Sequence, residues 1–186
     1  MEALVILAVI ILIGGYAVAL YNGLVSKRQA VKEGWSGIDV QLKRRSDLIP
    51  NLLEAVKGYM SHEKGVLEEV TKLRTQAQAA SSAPPHERAA IEGALSGALG
   101  RLMAVAEAYP DLKASQNFLD FQKSLQEIED EIQLSRRYYN GAVRNMNVAV
   151  ESFPSNLVAN QFGFGKEEFF EIEDPAERAV PKVSFS

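Results

Sequence analysis

Histidine is the side chain best suited to proton transfer and metal binding near neutral pH, and the sequence contains two, His62 and His86. His62 begins a pattern like the zinc-binding H-E-x-x-H, but Val66 stands where the second histidine is required. A helical bundle can also bind two iron ions through paired E-x-x-H motifs, yet Tyr59 and Ala83 occupy the positions three before each histidine. We therefore expect both histidines to be solvated or to cap helices.

No other residue pattern predicts chemistry. The chain contains no cysteine, which excludes disulfides, thiolate metal ligands and cysteine nucleophiles. No serine lies in a G-x-S-x-G turn, and the glycine-rich segment 162–166, FGFGK, lacks the length and the Ser/Thr of a phosphate-binding loop. We expect no catalytic, cofactor-binding or metal-binding residues, and we expect that the protein is not an enzyme.

The densest basic cluster is formed by Lys43, Arg44 and Arg45. If its helix lies near a membrane, the cluster could contact anionic lipid headgroups. The alternative is an exposed helical face whose charges pair with neighbouring acids. The formal net charge of the chain is -4, which gives it no electrostatic reason to bind nucleic acid.

The longest apolar run lies at the start of the chain. Residues 3–21 read ALVILAVIILIGGYAVALY and carry no charge. As a helix this segment is about 28 Å long, close to the hydrocarbon thickness of a bilayer. Residues 17–19, AVA, resemble a signal-peptidase site, but no basic residue precedes the apolar run as a signal peptide requires. We expect a retained single-pass transmembrane anchor over residues 1–25, with the lipid bilayer as the partner of residues 3–21.

The flanking charges predict the orientation of the anchor. Glu2 lies on its N-terminal side, whereas Lys27, Arg28 and Lys32 follow it. Basic residues next to a membrane helix favour the cytoplasmic side. We therefore expect the soluble domain to be cytoplasmic.

Beyond the anchor, apolar residues recur at steps of three and four, which is typical of helices packed along a heptad seam. The first seam, with Arg28 and Arg45 as interruptions, comprises Leu24, Val31, Trp35, Ile38, Leu42 and Ile49. Pro50 lacks an N–H and disfavours helix at the preceding residue, so it predicts a break. A second helix is expected from Asn51 to about Gln76.

Two further helices follow the proline-rich loop at residues 81–85. The third, about 86–108, presents small residues at Gly93, Gly97, Gly100 and Ala104, which predict a closely approaching neighbour in the bundle. The longest is expected over 111–150, with the apolar series Phe118, Phe121, Leu125, Ile128, Ile132, Tyr139, Val143, Met146 and Val150. We therefore predict an all-α protein whose domain, residues 26–154, is an antiparallel bundle of long helices.

The helical pattern ends near Pro154. Residues 155–186 form an irregular tail whose aromatic residues are Phe162, Phe164, Phe169, Phe170 and Phe185. Disordered segments are normally poor in aromatic residues. We expect this tail to pack on the bundle or on a neighbouring subunit.

Several segments together resemble the LemA family. They are YNGLV after the anchor, IDVQLKRR at 38–45, DLIPNL at 47–52, VKGY at 56–59, FPSN at 153–156, and FGF at 162–164 with FFE at 169–171. The resemblance covers nearly the whole chain. It implies a bacterial or archaeal inner-membrane protein with a helical-bundle domain, without an agreed biochemical activity and without catalytic residues to transfer. The matched residues Asp39, Arg44, Arg45 and Asp47 flank the expected break at Pro50 and are expected to stabilise the turn there by ion pairing.

These observations favour a membrane-anchored helical scaffold or adaptor at the cytoplasmic membrane. It would act through helix association, as a homo-oligomer or by holding membrane-protein partners. One alternative is a membrane-remodelling or lipid-binding protein that uses residues 43–45 and the aromatic tail. A second alternative is an enzyme or a regulatory subunit of a membrane protease.

Overall fold

A computed structural model describes residues 1–60 and 62–171. In this part of the chain every regular element is helical and no strand is present, which confirms the all-α expectation. A single 3₁₀ turn lies at Ala80–Ser82. The α-helices are α1 (Glu2–Lys57), α2 (Lys64–Ala79), α3 (Pro85–Ala106), α4 (Pro110–Lys113), α5 (Gln116–Glu151) and α6 (Ser155–Gln161).

Helix α1 has 56 residues and is therefore about 84 Å long. Residues 2–19 are all exposed, whereas Leu24, Val31, Ile38, Leu42 and Ile49 of the seam are buried in the domain. The apolar segment therefore leads into the bundle without an intervening loop. The apolar segment and the first seam therefore belong to one helix.

The expected break at Pro50 is wrong, because α1 continues seven residues further to Lys57. A proline within a helix leaves the carbonyl four residues earlier without its usual donor. Here that carbonyl belongs to Ser46, and Arg74 of α2 donates its Nε–H to it at 2.8 Å. A side chain from the neighbouring helix thus replaces the missing backbone donor. Helix α2 consequently begins at Lys64 rather than near Asn51.

Helices α1 and α5 form an antiparallel pair that extends along most of the domain. Their buried residues recur every seven positions, which keeps each series on one side of its helix. On α1 these are Leu24, Val31, Ile38, Arg45 and Leu52, and on α5 they are Phe118, Leu125, Ile132, Tyr139 and Met146. The expected seam of the long helix is thereby confirmed, although the separate helix α4 means that α5 begins at Gln116 rather than at residue 111.

Helices α1 and α5 approach each other closely at Gly34. A Cβ atom at this position would lie 3.0 Å from the Cα atom of Tyr139 and 3.1 Å from the ring of Tyr138. The close approach expected on α3 is absent at Gly97 and Gly100, where an added Cβ would meet no atom within 4 Å. The small residues of α3 therefore face outward at these two positions, which corrects that expectation.

The core consists of two apolar clusters arranged along the rod. The cluster nearer the anchor is formed by α1, α5, α6 and the start of the tail, and includes Leu24, Ile38, Met146 and Phe164. The distal cluster is formed mainly by the second half of α1 with α2, α3, α4 and the first half of α5. Helices α2 and α3 pack against each other, so α1, α2, α3 and α5 alternate in direction as a four-helix bundle.

Candidate functional site

Two helices of the described chain are long and apolar enough to cross a membrane, namely α1 and α3. No residue in the apolar window of α1 is buried, whereas the apolar window of α3 is partly buried in the bundle. Helix α3 also carries the buried charged residues Arg88 and Glu92. It is therefore a core helix, and α1 provides the candidate anchor.

The basic cluster on α1 does not form one exposed surface. Lys43 pairs with Asp47 at 3.1 Å, and Arg44 donates to the Gln41 side chain at 2.9 Å, both at exposed positions. Arg45 points in the opposite direction and is only 1% exposed. Arg45 therefore cannot contribute to a headgroup-binding face together with its two neighbours.

Arg45 lies instead in a set of polar side chains that crosses the bundle, which we call the polar layer. Its members are Arg45 of α1, Arg88, Glu92 and Ser96 of α3, Glu129 of α5, and Asp39 at the edge. The guanidinium group of Arg45 donates to Glu129 Oε1 at 2.7 Å, to Glu92 Oε2 at 2.5 Å and to the Glu92 carbonyl at 3.2 Å. It also donates to Ser96 Oγ, so one side chain joins three helices.

The second guanidinium group of the polar layer, that of Arg88, contacts residues of α1 and of the 3₁₀ turn. Arg88 donates to Asp39 Oδ1 at 2.6 Å and to the Ser81 carbonyl at 3.2 Å, and its guanidinium carbon lies 5.3 Å from the centre of the Trp35 ring. Its Nε atom is 3.9 Å from Glu92 Oε1. Two buried cations therefore face three carboxylates between the two apolar clusters.

A buried ionic layer restricts how the helices can pair. Arg45 follows Leu42 and precedes Ile49, which belong to different apolar clusters. A shift of α1 along α5 would place its charge against apolar side chains, and an unpaired buried charge is strongly unfavourable. The polar layer therefore supports one register of α1, α3 and α5. The sequence did contain a sign of this layer, because Arg45 interrupts an apolar seam.

The tail was expected to be irregular from residue 155, which is wrong for its first seven residues, because these form α6. The described part that follows α6 packs on its own bundle, which is one of the two sites expected for the tail. Asn140 of α5 bonds both backbone groups of Phe170, accepting from its N–H at 2.9 Å and donating to its C=O at 3.2 Å. Asn147 bonds Glu167 in the same two-sided manner, at 2.8 and 3.0 Å. Asn140 and Asn147 are seven residues apart on a helix, which is a rise of about 10.5 Å. Glu167 and Phe170 are three residues apart in extended chain, which spans about 10 Å, so each asparagine lies beside its partner in the tail.

Aromatic contacts complete the tail's attachment. Phe164 and Phe170 are buried, and Phe170 lies edge-on to Trp35 at 5.8 Å between ring centres. The Tyr139 hydroxyl donates to the Glu168 carbonyl at 2.8 Å. Burial raises the pKa of Tyr139 to about 12, and the charges of Glu167 and Glu168 add to the shift. The Phe185 part of this expectation lies outside the described residues. Sequence reasoning did not single out the two asparagines that hold the tail.

The histidines lie apart from each other and from the polar layer. His62 is exposed in the connection between α1 and α2. His86 lies in the first turn of α3, where its Nδ1 is 2.9 Å from Glu168 Oε2 of the tail. Within residues 1–60 and 62–171, no three His, Asp or Glu side chains are grouped so as to hold a metal ion.

One side of the α1–α5 pair exposes apolar residues. Tyr138 contacts this side of α1, where its hydroxyl donates to Glu33 at 3.4 Å. Val40 lies seven residues after Glu33, and Leu134 lies four residues before Tyr138, so helical periodicity places them along the same side. Val40, Leu134 and Tyr138 are each about half exposed. We call these three residues the lateral face.

Comparison with known proteins places these features in a family. A family model described as the LemA family matches residues 34–185. Magnetosome protein MamQ 2 of Paramagnetospirillum magneticum is 27% identical, over 94% of this chain and 74% of its own. Magnetosome protein MamQ of Magnetospirillum gryphiswaldense is 25% identical, over 84% and 66%, and Protein LemA of Metamycoplasma hominis is 27% identical, over 82% and 69%. With the apolar start of α1, these matches indicate a membrane-associated protein. The chain belongs to the LemA family.

Proposed function

We propose that the protein is a membrane-anchored helical scaffold that self-associates and holds other membrane proteins at the cytoplasmic face. The observation that carries the proposal is α1, a single helix whose exposed apolar first third continues into the core of the bundle. Such a helix fixes the bundle at a defined position relative to the bilayer. The polar layer and the docked tail then keep the bundle in one arrangement.

The proposed topology is a single membrane pass by residues 3–21 with the bundle in the cytoplasm. Lys27, Arg28 and Lys32 follow the span, which favours this orientation. A reporter enzyme active only outside the cytoplasm, fused after Ser186, should give no activity. The same fusion to a variant with these three residues changed to Glu serves as the matched control. Strong activity of the unmodified fusion would reverse the orientation.

Self-association is proposed to occur through the lateral face, with a second copy of the chain as its occupant. Anchored copies diffuse in one plane, which raises their effective concentration, so modest contacts suffice for assembly. Val40 is 53%, Leu134 49% and Tyr138 52% exposed, and burying them against a partner removes apolar surface from water. The tail is not needed for this contact, because its first residues already cover the bundle of the same chain.

The particle mass of the intact protein in mild detergent tests self-association. Light scattering at low and high protein concentration should give a multiple of the monomer mass. Changing Val40, Leu134 and Tyr138 together to Ser should reduce that mass while helical content is retained. The matched control changes Tyr59 and Leu119, apolar exposed residues away from the lateral face, to Ser and should leave the mass unchanged. A monomer at both concentrations would refute self-association.

A further inference from the structure

The end of the bundle nearest the anchor exposes large apolar side chains at the junction of α5 and α6. Phe153 is 79% exposed, Leu157 and Phe162 are each 60% exposed, and Val148 is 56% exposed. We call these four residues the corner. They lie within about fifteen residues of sequence, in a region where the chain folds back on itself, and each is more exposed than Leu119, Leu134 and Tyr138, the other exposed large apolar residues of α5.

Measured along the axis of α1, the corner lies level with the end of the apolar span of that helix. The ring of Phe162 meets the ring of Tyr21 edge-on at 4.9 Å between centres, and Tyr21 is the last residue of the span. The antiparallel pairing gives the same height independently. Gly34 lies opposite Tyr139, so Tyr21, thirteen residues back along α1, is nearly level with Glu151, twelve residues forward at the end of α5 and two residues before Phe153.

The charge pattern around the corner fits contact with lipid. Residues 152–165, SFPSNLVANQFGFG, contain no charged side chain, although 24% of the chain is charged. The charges that bound this segment, Glu151 and Lys166, pair with each other. Exposed aromatic residues with uncharged neighbours are typical of segments at the boundary between lipid headgroups and acyl chains.

We propose that the corner inserts into the headgroup–acyl boundary of the same bilayer that holds α1, as a second membrane contact. The proposal rests on the insertion of residues 3–21, because only that insertion fixes the membrane plane. Phe153, just before α6, and Leu157, on α6, enter the boundary, and Phe162 joins them beside Tyr21. The domain is then attached at two points, so its orientation about the axis of α1 is set by the lipid surface.

Depth-dependent fluorescence quenching tests the proposal, and the absence of cysteine makes single-site labelling clean. The intact protein is placed at one copy per lipid nanodisc, which removes contacts between copies. A fluorophore is attached to Leu157→Cys, and quenching is compared for lipids with a spin label at the headgroup or along the acyl chain and for a water-soluble quencher. Most of the fluorescence should be lost to the lipid quenchers and little to the soluble one.

Control positions make each outcome decisive. A label at Ile10→Cys reports the anchor and should be quenched by acyl-chain labels, whereas a label at Tyr59→Cys, at the distal end, should be quenched only from water. Adding Phe153→Ser and Phe162→Ser to the Leu157→Cys variant should shift its quenching toward the soluble quencher. If Ile10→Cys is quenched by lipid but Leu157→Cys behaves like Tyr59→Cys, the corner proposal fails while the anchor stands. If Ile10→Cys is also quenched from water, both fail.

Discussion

Replacing Arg45 by methionine removes the central cation of the polar layer while keeping a side chain of similar length. In the folded protein Glu92 and Glu129 would then face each other without the group that donates to both, at 2.5 and 2.7 Å. Arg44→Met is the matched control, because it makes the same chemical change one residue away at an exposed position. Any difference between the two variants comes from the buried environment.

The magnitude follows from which charges are left without a partner. Removing one member of a buried ion pair typically costs about 3 to 5 kcal/mol. The Glu92 side chain is 7% exposed and bears most of this cost, whereas that of Glu129 is 25% exposed and can be hydrated. Arg88 remains 3.9 Å from Glu92, which favours the lower end, about 3 kcal/mol. The exposed Arg44→Met should change stability by less than about 0.5 kcal/mol.

Thermal unfolding of the intact protein in detergent, followed by circular dichroism, measures this difference. At about 2 to 4 °C per kcal/mol for a chain of this size, Arg45→Met should lower Tm by about 6 to 12 °C. Adding Glu92→Gln should recover part of the loss, because it removes the carboxylate left without a partner. Equal melting of the Arg45→Met and Arg44→Met variants would show that the polar layer does not stabilise the bundle.

Three further predictions concern other contacts. Gly34→Ala should destabilise the bundle by about 1 to 3 kcal/mol, because its Cβ would meet the Tyr139 backbone at 3.0 Å. Gly97→Ala should stabilise it by about 0.5 to 1 kcal/mol, and the reverse order in denaturant melts would refute the close approach. Arg74→Met should cost about 1 to 3 kcal/mol by leaving the Ser46 carbonyl without its donor, and unchanged stability would mean that water replaces it. Because burial raises the pKa of Tyr139 above 10, the stability from its neutral form should be present below pH 10 and lost as pH rises through about 12. Tyr139→Phe should flatten that part of the profile of Tm against pH.

Periodicity was sufficient to predict which residues of α5 are buried. Leu125, Ile128 and Ile132 are buried as their spacing indicates, because a seven-residue apolar repeat can face only one neighbour in a helical bundle. Pro50 was misread because the cost of a missing backbone donor depends on what else can donate. Arg74 is 28 residues from Ser46 in sequence, and no local pattern shows that the Arg74 side chain reaches the Ser46 carbonyl.

The features that define the candidate surfaces depend on contacts between distant segments. Arg45 in an apolar seam could have suggested a buried charge, but its partner Glu129 is 84 residues away. Asparagine is usually found at the surface, so Asn140 and Asn147 do not stand out on a helix rich in charged residues. Their hydrogen bonds to the tail backbone become visible only in the folded structure. Gly97 and Gly100 have the spacing of a close helix contact, but no other helix of the described chain lies against them.

The continuity of α1 has a mechanical consequence. From Tyr21 to Lys57 the helix extends about 54 Å without a loop, and Arg74 braces it at its proline. A rigid lever of this length turns a tilt of about 10° at the bilayer into a sideways movement of about 9 Å at its far end. Membrane helices tilt in response to bilayer thickness. With residues 3–21 in the bilayer as proposed, a change in lipid thickness would therefore be transmitted along α1 as a displacement of the distal end of the bundle.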